Sequence, residues 1–399
     1  MERKRVIIIG QGYTGRLSIV RSVAVLGCDI TLIAIVPSLT QLRKPIDAYS
    51  KFVNRYYFCQ NHDEKALVDL LINKCNCGNH ADKAVIIPDN DYVASVIDRN
   101  LKQLEPFFYC PHIGNSPGEI SKWMDKERQK EKAEAVGLSV ARAVTLELNG
   151  KYPLDLDASV FPCFVKPLMS SDCGKIGIGR CDNLHQLETH LELMRKVGAK
   201  KVLVEEYKEI ETEYATLGIS DGSRVYIPGL LQLLRIAHSS HMGVAIQGKV
   251  FPIDGYEELV DRFAELIREI GFVGLFDIDF YLSKGVFYFG ELNLRFGGSG
   301  YAFTRMGANL PAAFVNYCYG ESVNPFLGSI KSEATYMNER MAVDDWYRGY
   351  LSSQEFADIS KESQVFFVKD SDDQIPYWVF EYNLFKKRFS KLRHKWMNQ

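Results

Sequence analysis

The chain has 399 residues, of which 46% are hydrophobic and 25% are charged, as in soluble globular proteins of two or three domains. Its formal net charge of -2 gives no basis for nucleic-acid binding. No apolar run is long enough to cross a bilayer, and the opening MERKR lacks the hydrophobic stretch of a secretory signal. The nine cysteines are odd in number and scattered, which favours free thiols in a reducing cytoplasm.

The first residues predict a βαβ unit. Residues 5–36 read as a buried strand, a glycine turn, a helix and a second apolar strand, which is typical of a Rossmann-like parallel sheet. Gly10, Gly12 and Gly15 match the spacing of a dinucleotide fingerprint. However, the acid that would grip a ribose is missing from the end of the second strand, and Asp29 stands at its beginning. We therefore interpret the glycines as a tight turn before an anion-friendly helix N-terminus, and we expect no NAD.

Acidic residues follow the next predicted buried strand, over residues 83–87, in the run Pro88-Asp89-Asn90-Asp91. Ligands of open α/β sheets bind at such carboxyl ends of strands. A plain N-cap for the following helix explains the same residues equally well. Beyond about residue 115 the texture changes. There, helices predicted over residues 121–136, 184–197 and 256–270 alternate with short strands that indicate antiparallel sheets.

Residues 276–300 carry the strongest functional signal, because they predict a β-hairpin with a turn at residues 283–285. Strict alternation places one set of side chains on an apolar face: Phe276, Ile278, Phe280, Leu282, Val286, Tyr288, Leu292 and Leu294. The opposite face then carries Asp277, Asp279, Tyr281, Phe287, Phe289, Glu291, Asn293 and Arg295. Pairing about the turn brings Asp279 close to Glu291. Two carboxylates, an amide oxygen and a guanidinium in one row suit Mg²⁺ that holds nucleotide phosphates.

A second phosphate-binding element is predicted around a short apolar strand, residues 160–167, which carries Lys166. The loop after it is rich in glycine and serine, with Ser170, Ser171, Gly174, Lys175, Gly177 and Gly179. Glycines allow backbone N–H groups to approach phosphate oxygens, and Lys175 adds positive charge. The loop lacks the glycine-lysine-serine ending of a Walker loop. A flexible surface hairpin has a similar sequence, so both interpretations stay open.

Taken in chain order, these residues resemble the ATP-grasp superfamily of carboxylate–amine ligases. The local wording over residues 291–300, ELNLRFGGSG, is similar to the carbamoyl-phosphate synthase large subunit, and the layout with one grasp domain is similar to D-aspartate ligase. The resemblance implies a mixed α/β and α+β fold. Its parts would be a Rossmann-like pre-ATP-grasp domain over residues 1–115, a two-lobed ATP-grasp domain with antiparallel sheets over 116–325, and a small C-terminal region over 326–399.

The resemblance also implies ATP as cofactor, with Mg²⁺ or, in its place, Mn²⁺. Phosphates would be bound by Lys126 and Lys166 under a lid that contains Ser170, Ser171, Gly174, Lys175 and Gly177. Adenine and ribose would be held by Glu205, Glu206, Tyr207 and Glu213. The metal ligands would be Asp279, Glu291 and Asn293, while Arg295, with Lys166, would act on the transferred phosphate. The chain departs from the family in two ways: Leu294 stands where many relatives have proline, which is a conservative change, and the tandem duplication of the synthase is missing.

The leading functional hypothesis is that a substrate carboxylate takes the γ-phosphate of ATP and an amine then displaces phosphate. The expected partners are therefore a small-molecule carboxylate and an amine, with candidate contacts at Arg235, His238, His241, Gly298 and Ser299. An ordinary polar loop explains each histidine at least as well. Two alternatives stay open. One is phosphorylation of bicarbonate or carbamate, as in carbamoyl-phosphate synthase, and the other is a nucleotide-binding regulatory protein without turnover.

The last predicted helix, residues 377–398, combines aromatic residues with a cluster of lysines and arginines. Such a helix suits an anionic membrane surface or an acidic partner. A C-terminal helix that packs its aromatic residues on its own domain has the same composition. We therefore expect a cytoplasmic protein, with peripheral contact at the inner face of the membrane as one alternative.

Overall fold

The computed structural model describes residues 3–40, 42–76, 83–148, 160–169, 176–238 and 243–397, with side chains described up to Lys386. Its N-terminal part is a parallel sheet of five strands in the order β3-β2-β1-β4-β5. The predicted Rossmann-like unit is thus confirmed. The elements are β1 (Arg5–Gly10), α1 (Tyr13–Ala24), β2 (Asp29–Val36), β3 (Val53–Gln60), α2 (Glu64–Leu70), β4 (Ala84–Pro88), α3 (Asp91–Arg99), α4 (Leu101–Leu104) and β5 (Phe108–Tyr109).

A connecting segment follows, with β6 (His112–Ile113), α5 (Glu119–Lys122) and α6 (Lys126–Ala135). The prediction of one helix over residues 121–136 is wrong, because α5 ends at Lys122 and a separate helix, α6, begins at Lys126. The side chain of Asp125 accepts hydrogen bonds from the backbone N–H groups of Glu127 and Arg128, at 2.9 and 3.1 Å. An aspartate in that role starts a new helix.

A small antiparallel sheet with strand order β10-β9-β11-β8 forms one lobe of the following region. Helix α7 packs on it through Leu187, Leu191 and Met194, which are fully buried. The elements of this stretch are β7 (Ser139–Val140), β8 (Ala143–Glu147), β9 (Cys163–Pro167), β10 (Gly179–Cys181), α7 (Leu184–Lys196) and β11 (Lys201–Glu206). Strand β8 is absent from the sequence prediction, because its side chains are mostly exposed and show no clear alternation.

The largest sheet has ten strands, eight of them along the path β19-β18-β15-β14-β12-β16-β17-β7, with β13 and β6 paired to β12 and β16. One face packs on α8, whose Phe263, Leu266 and Ile267 are fully buried. The other packs on α1, α9 and α10. The strands are β12 (Thr212–Asp221), β13 (Val225–Tyr226), β14 (Leu230–Ile236), β15 (Ala245–Phe251), β16 (Phe272–Ser283), β17 (Val286–Asn293), β18 (Ala334–Met337) and β19 (Val365–Phe366). The helices are α8 (Glu257–Ile270), α9 (Gly300–Arg305) and α10 (Leu310–Cys318).

The C-terminal helices are α11 (Glu339–Arg348), α12 (Ser353–Glu362) and α13 (Ile375–Met397). Helix α11 is positioned by buried Glu339, whose carboxylate accepts backbone N–H bonds from Phe367, Val368 and Lys369. Strands β18 and β19 lie beyond residue 325, yet they extend the ten-stranded sheet. Within the described ranges, every helix is too short or too polar to cross a membrane.

Candidate nucleotide and metal site

The hairpin β16–β17 is built around a two-residue turn. Lys284 and Gly285 both have positive φ, 50° and 74°, as type I′ hairpin turns require. The register pairs Asp279 with Glu291 and Asp277 with Asn293. The predicted neighbourhood of Asp279 and Glu291 is therefore what the structure shows.

A β-bulge between these pairs and the turn changes the predicted faces. Phe280 pairs with Phe289, which leaves Gly290 as the extra residue of β17. Phe289 is therefore buried with Phe280, and the ring of Tyr288 instead stacks on Tyr281 at 5.6 Å. The predicted placement of Val286 and Tyr288 on the apolar face, and of Phe287 and Phe289 on the polar face, is wrong. Strict alternation fails because one inserted residue reverses the side-chain parity of everything beyond it.

The proposed metal ligands form one polar row. Asn293 donates from Nδ2 to Asp279 Oδ2 at 3.2 Å, and Lys126 Nζ donates to Glu291 Oε1 at 2.8 Å. Helix α6, which carries Lys126, is fixed to β17 through Gln129. The side-chain oxygen of Gln129 accepts a hydrogen bond from the N–H of Leu292 at 2.9 Å, and its Nε2 donates to the carbonyl of Leu292 at 2.8 Å. The sequence-based role of Lys126 was phosphate binding; here its ammonium group contacts a proposed metal ligand.

Arg295 closes the row at the junction with the parallel sheet. Its guanidinium donates to Asp277 Oδ2 at 3.1 Å and to Asp91 Oδ1 at 3.2 Å. Asp91 begins α3, directly after the carboxyl end of β4. Burial disfavours the charged guanidinium, but Asp91 and Asp277 outweigh that cost and raise the pKa of Arg295. Two separate parts of the chain are thus joined at this one side chain.

The hairpin carboxylates are short of positive charge. Burial raises the pKa of Asp277 to about 6 despite Arg295, and Asp277 Oδ1 is buried without a hydrogen-bond partner among the described residues. Desolvation, together with the negative charges of Asp277 and Glu291, raises the pKa of Asp279 well above its usual value, although the residue is partly open to solvent. The oxygen-rich donor set fits a hard divalent cation. In the described part of the chain, no group of three or more Asp, Glu, His or Cys side chains could hold a metal ion by itself.

A second charged cluster lies between β9, β11 and α6. Glu205 Oε1 contacts Lys166 Nζ at 2.9 Å and Lys130 Nζ at 2.5 Å. Burial alone would raise the pKa of Glu205, but the two ammonium groups outweigh it and hold this pKa below its usual value. Burial lowers the pKa of Lys130, whose Nζ also donates to the carbonyl of Ala141. Sequence reasoning missed Lys130, although its position four residues after Lys126 places both lysines on one helix face.

The segment after Glu205 is the predicted adenine hinge. Glu206 forms ion pairs with Lys208 at 2.6 Å and Arg142 at 3.2 Å. The backbone N–H of Tyr207 donates to Pro162, and the Arg180 guanidinium lies 4.4 Å from the Tyr207 ring centre. Glu213 pairs with Tyr281 across β12 and β16, and Lys208 Nζ lies 4.8 Å from the ring centre of Tyr288. The hinge therefore lies beside the hairpin. Gly177 lies against α7, where its carbonyl contacts His190 Nδ1 at 2.7 Å.

The proposed substrate contacts separate into two groups. Gly298 and Ser299 lie three and four residues after Arg295, and Ser299 Oγ lies 3.4 Å from the hydroxyl of Tyr336. Arg235 instead pairs with Glu355 at 2.8 Å. The His238 N–H donates to Asp345, and its ring stacks on Tyr350. The structure thus gives Arg235 and His238 partners on and next to α11 and α12. Ser170, Ser171, Gly174, Lys175 and His241 lie outside the described residues.

The N-terminal glycine turn has a local explanation. A Cβ atom on Gly10 would fall 1.5 Å from Asp89 Oδ1, so this position requires glycine because β1 and β4 meet there. Asp89 accepts a hydrogen bond from the backbone N–H of Gln11 at 3.2 Å. Burial raises the pKa of Asp89 to about 7, against the influence of Arg16. Asn90 caps α3, so the N-cap interpretation of the run Asp89–Asp91 is confirmed, and its role at a ligand-binding edge stays a prediction.

Known proteins with similar sequences cover part of this chain. No protein-family model matches it. Over 216 residues it is 24% identical to the carbamoyl phosphate synthase large chain of Halomonas eurihalina, covering 53% of this chain and 19% of that protein. It is 29% identical to the formate-dependent phosphoribosylglycinamide formyltransferase of Bacillus subtilis, covering 53% and 54%. It is 26% identical to a D-alanine–D-alanine ligase of Fusobacterium nucleatum, covering 43% and 55%. The matches thus span about half or less of these relatives.

Solved structures match over most of the chain. The ADP complex of N5-carboxyaminoimidazole synthetase from Staphylococcus aureus has a TM-score of 0.61 at 18% identity, covering 85% of this chain and 83% of that one. The biotin carboxylase domain of 2-oxoglutarate carboxylase from Hydrogenobacter thermophilus, with MgADP and bicarbonate, has 0.64 at 17%, covering 84% and 74%. An L-amino acid ligase from Bacillus licheniformis has 0.61 at 17%, covering 84% and 80%.

The parallel sheet, the two antiparallel sheets and the hairpin row occur together in the order that the sequence predicted. The relatives and the solved structures named above are ATP-grasp proteins. This chain therefore has the ATP-grasp fold, and about half of its sequence is similar to that of ATP-grasp proteins.

Proposed function

We propose that this protein is an ATP- and Mg²⁺-dependent ligase that joins the carboxylate of an amino acid or similar small acid to an amine through an acyl phosphate. The observation that carries the proposal is Arg295, held between Asp277 of the hairpin and Asp91 of the parallel sheet. This places a guanidinium beside the acidic row, where phosphate charge needs stabilisation. Residues 1–115, 116–325 and 326–399 would act as pre-ATP-grasp domain, ATP-grasp domain and C-terminal region.

The nucleotide would bind between the two charged clusters. Lys166 and Lys130 would contact its phosphates, while Glu205, Glu206 and Tyr207 would hold adenine and Glu213 would lie near the ribose. Asp279, Glu291 and Asn293 would hold Mg²⁺, which neutralises phosphate charge when bound. Lys126 would share Glu291 with that metal. ADP complexes of two of the structures with the same fold support this assignment.

The acid substrate would be activated at Arg295. A carboxylate oxygen attacks the γ-phosphorus as the bond to ADP breaks, and an amine then attacks the acyl carbon and releases phosphate. Arg295 stabilises the negative charge of the phosphorylated acid. Gly298 and Ser299, with Tyr336 beside them, would line the acid pocket.

A phosphate-release screen tests the proposal. The purified protein is incubated with Mg-ATP and amino acids, singly and in pairs, and products are identified by mass spectrometry. Phosphate release that requires two compounds, together with a new amide, is the expected result. Release that depends on bicarbonate alone would instead assign the carbamoyl-phosphate-synthase type of reaction. Tight ATP binding without ADP formation across the panel would contradict any ligase and favour a regulatory role.

A further inference from the structure

Helix α13 presents an unusual exposed face. Ile375, Trp378, Tyr382 and Phe385 are 50%, 62%, 56% and 58% exposed. Their spacing of three, four and three residues places all four side chains along one side of the helix. Scattered exposed apolar residues are ordinary on protein surfaces, whereas an aligned row of aromatic side chains marks an interaction surface. We call these four residues the aromatic stripe.

The opposite side of α13 is anchored to the protein. Phe380 is buried, and Tyr377 and Leu384 are partly buried, in a cluster with Val343 and Val368. The same cluster includes Tyr13, at the start of α1. Because these contacts fix the rotation of the helix, the aromatic stripe faces away from the body. Packing of all the aromatic residues on their own domain, one of the two sequence-based interpretations, therefore accounts for only two of the five aromatic side chains described in α13, Tyr377 and Phe380.

The charge of α13 identifies the kind of partner. After Glu381 the chain has no further acid, but it has six basic residues: Lys386, Lys387, Arg388, Lys391, Arg393 and Lys395. Subtracting these six charges from the formal net charge of -2 leaves -8 for the rest of the chain. Positive charge is thus concentrated on one helix of a protein that is otherwise acidic. In sequence, Phe389, Leu392 and Trp396 continue the spacing of the aromatic stripe.

A second copy of this chain is a poor match for that surface. The three-four spacing is that of a coiled-coil seam, whose flanking positions pair across the interface. From Lys386 onward these flanks are Lys386, Arg388, Arg393 and Lys395. Two parallel copies would oppose like charges over this half of the helix. An anionic lipid surface instead satisfies both features, because aromatic side chains enter the interface while lysines and arginines contact the headgroups.

We propose that α13 docks this protein on the surface of an anionic lipid bilayer, with the aromatic stripe in the headgroup region and the basic residues on acidic lipids. Lys386 Nζ lies 4.5 Å from the ring centre of Tyr382. This cation–π contact has the arrangement of an aromatic–lysine pair at a membrane interface. The proposal is independent of the ligase assignment, since it concerns binding alone.

Vesicle co-sedimentation of the full chain tests it. Binding should be strong to equimolar phosphatidylcholine and phosphatidylglycerol, weak to phosphatidylcholine alone, and reduced by salt. The triple variant K386Q/K387Q/R388Q should bind about 100-fold more weakly, at about fivefold per charge. The double variant W378S/F385S should lose more than about tenfold. Leu193→Ser, at an exposed apolar residue of α7, is the matched control and should bind as the unchanged protein does.

Three outcomes would overturn the proposal. The first is equal binding to both kinds of vesicle, or no binding to either. The second is unchanged binding in both α13 variants, with thermal unfolding showing that they remain folded. The third is a dimer, seen by light scattering, that W378S/F385S disrupts, because a second copy would then cover the aromatic stripe.

Discussion

The two charged clusters of the candidate site differ in how the protein balances their carboxylates. Glu205 is buried between Lys130 and Lys166, and its pKa is lowered. Asp277 and Asp279 share a single arginine, and their pKa values are raised. The protein thus supplies the counter-charges of one cluster and leaves the other short of them. A bound cation would therefore gain more electrostatic stabilisation at the hairpin than at Glu205, because the hairpin carboxylates have fewer positive groups beside them.

The substitution Glu291→Gln has the largest expected effect, and it tests whether the hairpin carboxylates bind a cation. If the hairpin holds a divalent cation, losing one carboxylate should lower kcat by roughly two to three orders of magnitude, by analogy with other preorganised charge-stabilising groups. ADP formation with the true substrates measures the effect. Glu188→Gln, on the exposed face of α7, is the control. Turnover equal to that of the control would contradict the metal assignment.

Glu205→Gln tests the cluster that the protein neutralises itself. It would leave Lys130 and Lys166 buried without their counter-charge, so the free energy of unfolding should fall by about 3–5 kcal/mol. Glu206→Gln, at a more exposed residue that also has two ion pairs, should cost about 0–1 kcal/mol. Urea unfolding of both variants measures the difference. Equal costs would show that burial does not distinguish the two glutamates.

The pH dependence has a definite sign at Glu205. Because its folded-state pKa is lowered, its ionised form contributes stability above the unfolded-state pKa, and that contribution disappears as the pH falls through the folded-state value. The gap in stability between the unchanged protein and Glu205→Gln should therefore be full at neutral pH and shrink below about pH 4. A constant gap down to lower pH would contradict the ion-pair explanation.

A pH dependence of the opposite sign is expected at Asp89, whose pKa is raised to about 7. A raised carboxyl pKa stabilises the fold below the unfolded-state pKa of about 4, and this contribution is lost as the pH rises through about 7. Asp89→Asn should therefore flatten the decline of stability between these pH values. Thermal unfolding across that window measures it. Asp98→Asn, which replaces a buried carboxylate that accepts hydrogen bonds from a backbone N–H and a hydroxyl, is the matched control and should lower stability.

Much of the fold and of the candidate site was open to prediction from the sequence. Local patterns sufficed where the signal lies within one element: the glycine turn after β1, the amphipathic helix α8, and the hairpin with Asp279, Glu291, Asn293 and Arg295. They did not reach contacts between distant segments. The hydrogen bond from Arg295 to Asp91 joins residues 204 positions apart, and neither local sequence predicts it.

The chain order of the charged residues and their placement on strands could be predicted from local sequence, since both depend on neighbours along the chain. Which lysine pairs with which acid depends on the packing of distant segments. Lys126 and Lys130 lie on one helix face, yet Lys126 pairs with Glu291 and Lys130 with Glu205. The tertiary structure also decided the bulge at Gly290, which reverses the faces near the turn, and the side of α13 that remains exposed. Those features depend on packing between elements, and packing is not encoded in the period of any single one.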